Sequence, residues 1–211
     1  MKIICIEPST GSDNGVAALH DLEGAALYLK PETALTRSDW PFFVPDWSDQ
    51  IAFRPQLVVK VCRLGKSIPE RFAHRYYDEV TMGIGFTARD VQQQLAQAGL
   101  PWDVATGFDG SAYYGQRWLK LSQMAPEGQE RADVQQLTYS VALNGQPMAE
   151  GQTADMRPTV DRIVAFASRY YLLKTGDLIF CGWPRTEGIV HEGDVISATL
   201  QGEEVLTCRC K

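Results

Sequence analysis

An α+β fold dominated by sheet is predicted by three features of this sequence. It holds many short β-rich runs, three modest helical stretches, and no regular alternation of strand with helix.

In chain order, Lys2–Ile6 is a short apolar run that reads as a buried strand. Pro8–Gly15 is rich in Ser, Thr, Gly, Asp and Asn and reads as a loop. Leu27–Leu29 and Phe42–Val44 are short strand candidates, and Pro41, Pro45 and Pro55 punctuate this stretch and disfavour long regular elements. Gln56–Cys62 is a firmer strand, followed by a turn at Leu64-Gly65-Lys66. Pro69 through Tyr77 fits a short helix with Pro69 at its first position. Glu79–Phe86 is apolar and β-rich. Thr87 then reads as a helix cap to which Asp90 reaches back, with Val91, Leu95 and Ala98 as the apolar stripe and Gly99 and Pro101 as the stop. Phe108–Gly115, rich in Gly and Tyr, reads as a loop. Asn144-Gly145 after Leu137–Leu143 is a strong hairpin signal. Met156–Leu173 reads as a helix capped by Asp155, and Leu178–Cys181, Val195–Leu200 and Glu204–Arg209 as closing strands.

No linker or repeat divides the chain, so a single domain over residues 1–211 is expected. Apolar residues at 45% and charged residues at 22% are a globular balance. With 20 Lys and Arg against 26 Asp and Glu, and no basic run, no nucleic-acid partner is expected. The scatter of Lys60, Arg63 and Lys66 reads as a solvated strand end and turn. No stretch approaches the roughly 20 apolar residues that span a bilayer, and the start is too soon acidic for a signal peptide. Five dispersed cysteines without a C-x-x-C pair suit a reduced, cytoplasmic protein. Cys208 and Cys210 would share one strand face, and read as buried or free thiols rather than a metal half-site.

Motifs for chemistry are sparse. There is no phosphate loop and no G-x-S-x-G elbow, and Ser111 has no histidine near it in sequence. His74 and His191 read as surface or packing residues. His20, near Asp21 and Glu23 after a loop, is the one catalytic candidate, as part of a His/Glu dyad on a lid.

The order of several segments resembles the fumarylacetoacetate hydrolase family. These are Leu29-Lys30-Pro31, Phe86-Thr87-Ala88-Arg89-Asp90, Gly99-Leu100-Pro101-Trp102, Phe108-Asp109-Gly110-Ser111, Leu143-Asn144-Gly145, and Gly176-Asp177 before Gly182-Trp183-Pro184. They extend over nearly the whole chain. The resemblance implies a mixed β-roll of that family's C-terminal-domain type, similar to its short bacterial isomerase and acylpyruvate hydrolase members, usually a homodimer. It further implies Mg²⁺ or Mn²⁺ on three carboxylates and chemistry on 2-oxo acids. Two ligands form a Glu-x-Glu pair, which i and i+2 spacing puts on one strand face, and hard oxygen ligands suit these cations.

Laid on this chain, the Glu-x-Glu pair falls on Arg54 and Gln56, and the third carboxylate on Gly85. The family's substrate-holding lysine falls on Thr106, and its Thr-Gly-Thr-Pro loop has become Cys181-Gly182-Trp183-Pro184. The turn after the first strand is Glu7-Pro8-Ser9-Thr10 instead of Gly-Arg-Asn-Tyr. The scaffold landmarks survive while the chemical positions change together. The expectation is therefore a non-catalytic homologue with no metal cofactor and a pocket of Arg54, Gln56, Gly85, Thr106 and Trp183. Arg54 would favour a small carboxylate ligand there. One alternative is an active hydrolase, isomerase or decarboxylase with metal ligands recruited among Asp46, Asp49, Asp78, Glu79, Asp103 and Asp109. Another is a structural subunit paired with an active paralogue.

Overall fold

In the computed structural model the chain is described for residues 1–7, 22, 25–36 and 39–211. Its strands are β1 (Ile3–Glu7), β2 (Ala26–Lys30), β3 (Leu35–Thr36), β4 (Ile51–Val61), β5 (Tyr77–Ala88), β6 (Ala112–Tyr114) and β7 (Leu119–Lys120). They continue with β8 (Thr138–Leu143), β9 (Gln146–Gln152), β10 (Leu178–Phe180), β11 (Gly188–Ile189), β12 (Val195–Leu200) and β13 (Glu203–Arg209). The α-helices are α1 (Arg89–Gln97), α2 (Asp103–Thr106) and α3 (Val160–Tyr170). The expected sheet-rich α+β architecture is what the chain adopts.

Among the described residues the strands form a nine-stranded and a four-stranded sheet. The larger runs β2-β1-β10-β4-β5-β6-β3, with β11 also on β4 and β7 on β5. It is mixed: β1 and β10 are parallel, and β4 and β5 antiparallel. The smaller runs β13-β12-β8-β9. Its β8–β9 turn has both central residues at positive φ, Asn144 at 52° and Gly145 at 76°, as a tight right-twisted hairpin requires. Most of β4 and β5 is buried, because helices and the smaller sheet cover what the larger sheet would expose.

β4 begins five residues earlier than its apolar run suggests and passes through Pro55. The backbone N–H of Leu57 donates to Trp183 O and that of Val61 to Asp177 O. Pro55, two residues before Leu57, therefore directs its nitrogen to the same side. There β10 pairs only with Val58–Lys60 and β11 only with Ala52 and Phe53. The missing N–H falls in that gap, so no ladder bond is lost.

Five local expectations are corrected. Thr87 does not cap α1, because β5 continues through it, paired with Ala52, and the helix starts only at Arg89. Asp90 instead accepts from Ser48 Oγ at 2.6 Å and Asp49 N at 3.1 Å. The third helix spans Val160–Tyr170 and is capped by Thr159, not Asp155. Pro158 disfavours helical backbone at Arg157, so Asp155 ends a separate short turn. Phe42–Val44 forms no strand beyond a single bridge from Phe42 to Cys210, between Pro41 and Pro45. The Phe108–Gly115 loop contains β6. The segment opened by Pro69 is a 3₁₀ helix, Glu70–Tyr76.

Cys5, Cys181, Cys208 and Cys210 are buried thiols and Cys62 is exposed. Among the described residues no helix is long and apolar enough to cross a membrane.

Candidate functional site

The strand period and register assemble the site on one face of the larger sheet. Arg54 and Gln56, two apart on β4, face the same way. Arg54 is paired with Gly85 and Gln56 with Gly83 on β5. The same face continues through Val58 to Phe180, Cys5 and Tyr28, cross-strand partners in turn. Glu7 and Lys30, each two residues from that row, share it.

Arg54 is only 11% exposed and is engaged at both terminal nitrogens. Its Nη1 lies 2.6 Å from Glu7 Oε1, and its Nη2 lies 2.6 Å from Glu187 Oε2. Glu187 is held a second time: Arg89 Nε donates to its Oε1 at 2.9 Å, and Arg89 Nη2 donates to its Oε2. The four side chains alternate in sign and tie the ends of β1, β4 and α1 to the loop before β11. Burial disfavours the charge on Arg54, but Glu7 and Glu187 outweigh it and raise its pKa. Burial likewise opposes ionisation of Glu187, yet Arg89 and Arg54 hold its pKa below the ordinary value.

Gln56 is buried, and its Oε1 accepts from Gly182 N at 2.8 Å, fixing the turn that carries Trp183. Its Nε2 points at Gly85, where an added Cβ would lie 2.8 Å from it. Behind Gly85 sits Lys30, whose Nζ donates to Phe86 O at 3.0 Å and Ser111 O at 2.6 Å. Burial pushes its pKa down to about 8, against the opposing pull of Cys5 and Glu7. The space left among Glu7, Tyr28, Arg54, Gln56, Gly85 and Arg89 is about 10 Å³. That is room for no more than about one water.

Three of the expected pocket residues, Arg54, Gln56 and Gly85, thus converge. Thr106 and Trp183 do not line this space. Thr106 is turned inward: its carbonyl accepts from Ser111 Oγ at 2.8 Å and its hydroxyl donates to Asp103 O at 3.3 Å. Trp183 gives its carbonyl to Leu57 N at 2.6 Å and packs its ring, partly buried, against the main core. His20 lies outside the described residues. Glu187, Arg89 and Lys30 were not expected here. Lys30 and Arg89 stood in family landmarks, but nothing in the local sequence marks Glu187 as a partner for Arg54.

The residues present do not fit a divalent cation. Position 85 offers no side chain, the oxygen of Gln56 is taken by Gly182, and Arg54 puts a positive charge at the centre. Glu7 and Glu187 are already bound to guanidinium groups. Among the described residues no three His, Cys, Asp or Glu side chains gather in a metal-binding cluster. Of the carboxylates considered for recruitment, Asp78 accepts from Ser122 N and Oγ, and Glu79 pairs with Lys60.

Residues 9–210 match the family described as Fumarylacetoacetate (FAA) hydrolase C-terminal. The chain is similar to Oxaloacetate tautomerase YcgM of Escherichia coli (strain K12), with 29% identity over 206 residues, 98% of this chain and 91% of that protein. Among solved structures, 2-hydroxyhepta-2,4-diene-1,7-dioate isomerase from Mycobacterium marinum superposes with a TM-score of 0.78 at 26% identity, covering 99% of this chain and 73% of that one. A fumarylpyruvate hydrolase from Pseudomonas aeruginosa, in complex with Mn²⁺ and pyruvate, has the same fold at a TM-score of 0.80 and 22% identity, over 100% of this chain and 89% of that one. The match over nearly the full length, on a mixed sheet with the expected landmarks in order, makes this chain a member of the fumarylacetoacetate hydrolase family.

Proposed function

We propose that this chain is a non-catalytic member of its family, in which an internal ion-pair network stands where the family resemblance implies metal-binding carboxylates. The observation that carries this reading is Arg54 clamped between Glu7 and Glu187 at 2.6 Å on both sides. A guanidinium so placed repels a divalent ion, and the space of about 10 Å³ beside it holds no more than about one water. A small carboxylate ligand, attractive from the charge of Arg54 alone, would have to displace Glu187 from both Arg54 and Arg89.

A second reading rests on the relatives: a metal-dependent tautomerase or hydrolase of 2-oxo acids whose ligands come from elsewhere. One experiment separates the two. Purified protein is titrated with MnCl₂ by calorimetry, and the enol-to-keto conversion of oxaloacetate is followed with and without Mn²⁺. The proposal expects no metal binding at micromolar Mn²⁺ and no acceleration. A stoichiometric Mn²⁺ site together with metal-dependent tautomerisation would overturn it.

We also propose a homodimer as the working unit. Support comes from Trp40, Phe43 and Trp47, three large side chains exposed along one segment. Light scattering at the monomer mass would refute this. A stable heterodimer on co-expression with an active paralogue would replace it with the structural-subunit reading.

A further inference from the structure

The charge of this chain is distributed unevenly, and its basic part is folded into one face. Residues 62–76 and 160–174 hold seven of the 20 Lys and Arg but two of the 26 Asp and Glu, a balance of +5 that leaves −11 on the rest of the chain. The two stretches pack together. Gly65 bridges Leu173, Ser67 N donates to Ser168 O at 2.9 Å, and Lys66 Nζ donates to Arg169 O at 3.0 Å. The 3₁₀ helix Glu70–Tyr76 and α3 therefore present their basic residues side by side.

Four of these seven charges meet no carboxylate among the described residues. Elsewhere Lys2, Arg54, Lys60, Arg89 and Arg117 each meet a carboxylate. Among the described residues Arg63, Arg71, Arg75 and Lys174 meet none, and all four are exposed. Arg71 and Arg75 are instead held over the ring of Phe72, with Cζ 4.8 and 4.9 Å from its centroid, and Arg63 lies 6.0 Å from that of Tyr76. A guanidinium laid on an aromatic face is restrained while its N–H edge stays open, which lowers the entropy lost when it binds an anion.

Between the two elements runs a groove of about 430 Å³. Its apolar walls are Ile68, Pro69, Ala165 and Phe166, Arg162 and Arg169 flank it, and Glu70 is the one carboxylate among its described lining residues. Leu64, Tyr170 and Leu172 are exposed nearby at 61%, 51% and 43%. Apolar walls beneath a basic rim accept an apolar side chain flanked by carboxylates. Nucleic acid fits less well, because guanidinium groups already cover Phe72 and Tyr76 and leave little ring for bases to stack on. A lipid surface fits less well too, since the apolar floor is recessed in a groove rather than raised to enter a bilayer.

We propose that the groove between the 3₁₀ helix Glu70–Tyr76 and α3 docks an acidic segment of a partner protein, an apolar side chain between two or more Asp or Glu residues. This face carries none of the family's chemical positions, so the assignment stands apart from the fate of the Arg54 site.

The test is fluorescence anisotropy on the full chain, using a fluorescein-labelled peptide of Glu-Leu-Glu-Gly repeats. The comparison ligands are a Glu-Ser-Glu-Gly peptide, an oligouridylate RNA and phosphatidylglycerol vesicles. The leucine peptide is expected to bind more tightly than the serine peptide, and to weaken about tenfold in Arg71→Glu/Arg75→Glu, where two attractions become repulsions. Thermal unfolding checks that the variant is intact. If it is not, Lys174→Glu alone is expected to weaken the leucine peptide by about threefold. Equal binding of the two peptides, or no loss in a folded variant, overturns the docking groove. Tighter binding of RNA or vesicles, lost in the same variants, replaces the protein partner with that class.

Discussion

Arg54 and Gly85 are cross-strand partners on β4 and β5. One carries a guanidinium clasped by two carboxylates, and the other carries no side chain, so that the Gln56 amide leans into the space a Cβ would occupy. Arg54 is held by charge, and Gly85 and Gln56 by close packing.

Removing the guanidinium should show this first. Arg54→Met leaves Glu7 without its guanidinium and Glu187 held by Arg89 alone, and is expected to destabilise the fold by about 2 kcal/mol, less than a broken buried pair because both carboxylates are about one-third exposed and Glu187 keeps one partner. Urea unfolding measures it. A loss below about 0.5 kcal/mol would mean that the network contributes no more than a surface ion pair.

Acid should dissolve the same network. Glu187 has a folded-state pKa below its ordinary 4.5, so its contribution is present above pH 4.5 and is lost as pH falls through the lowered value. Unfolding free energies of wild type and Glu187→Gln should therefore differ at neutral pH and converge in acid. A gap that does not change with pH would contradict the assignment.

Lys30 acts in the opposite direction. Its pKa falls from an ordinary 10.5 to about 8 on folding, so between those values the unfolded chain binds the extra proton and stability rises with pH. Relative to Lys30→Met, wild type should gain stability from pH 8 to 10.5, by about 3 kcal/mol in the limit of full burial. Both proteins carry Cys5→Ala for this comparison, because Cys5, whose pKa burial raises to about 11 against the lowering pull of Lys30, titrates in the opposing direction.

Restoring the carboxylates tests the geometry itself. Arg54→Glu/Gln56→Glu/Gly85→Asp places three acids on adjacent positions of one sheet face, and Mn²⁺ titration should reveal binding that the wild type lacks. Gly85→Asp alone should not bind, because Arg54 keeps its charge and the new side chain meets Gln56 Nε2. Binding by the single variant would show that Arg54 does not control the site.

The helix cap is a local check on the corrected start of α3. Thr159 Oγ1 accepts from Arg162 N at 3.3 Å. Thr159→Ala should cost about 1 kcal/mol and Asp155→Ala much less, both read from thermal unfolding.

The sequence by itself determined the fold class, the hairpin at Asn144-Gly145, the cores of the long strands, and that Arg54, Gln56 and Gly85 stand where the family resemblance implies carboxylates. Side-chain period, turn chemistry and the order of landmarks are local properties. Where an element stops is not. Thr87 belongs to β5 because Ala52 pairs with it, and Pro55 is tolerated because β10 and β11 leave a gap beside it. Tertiary structure likewise decided what Arg54 does. In sequence it is a lone cation suited to an anionic ligand. In the fold, Glu7 and Glu187, 47 and 133 residues away, reach it from β1 and from the loop before β11. No periodicity encodes a pairing at that separation, since it exists only once the sheet has brought the strands together.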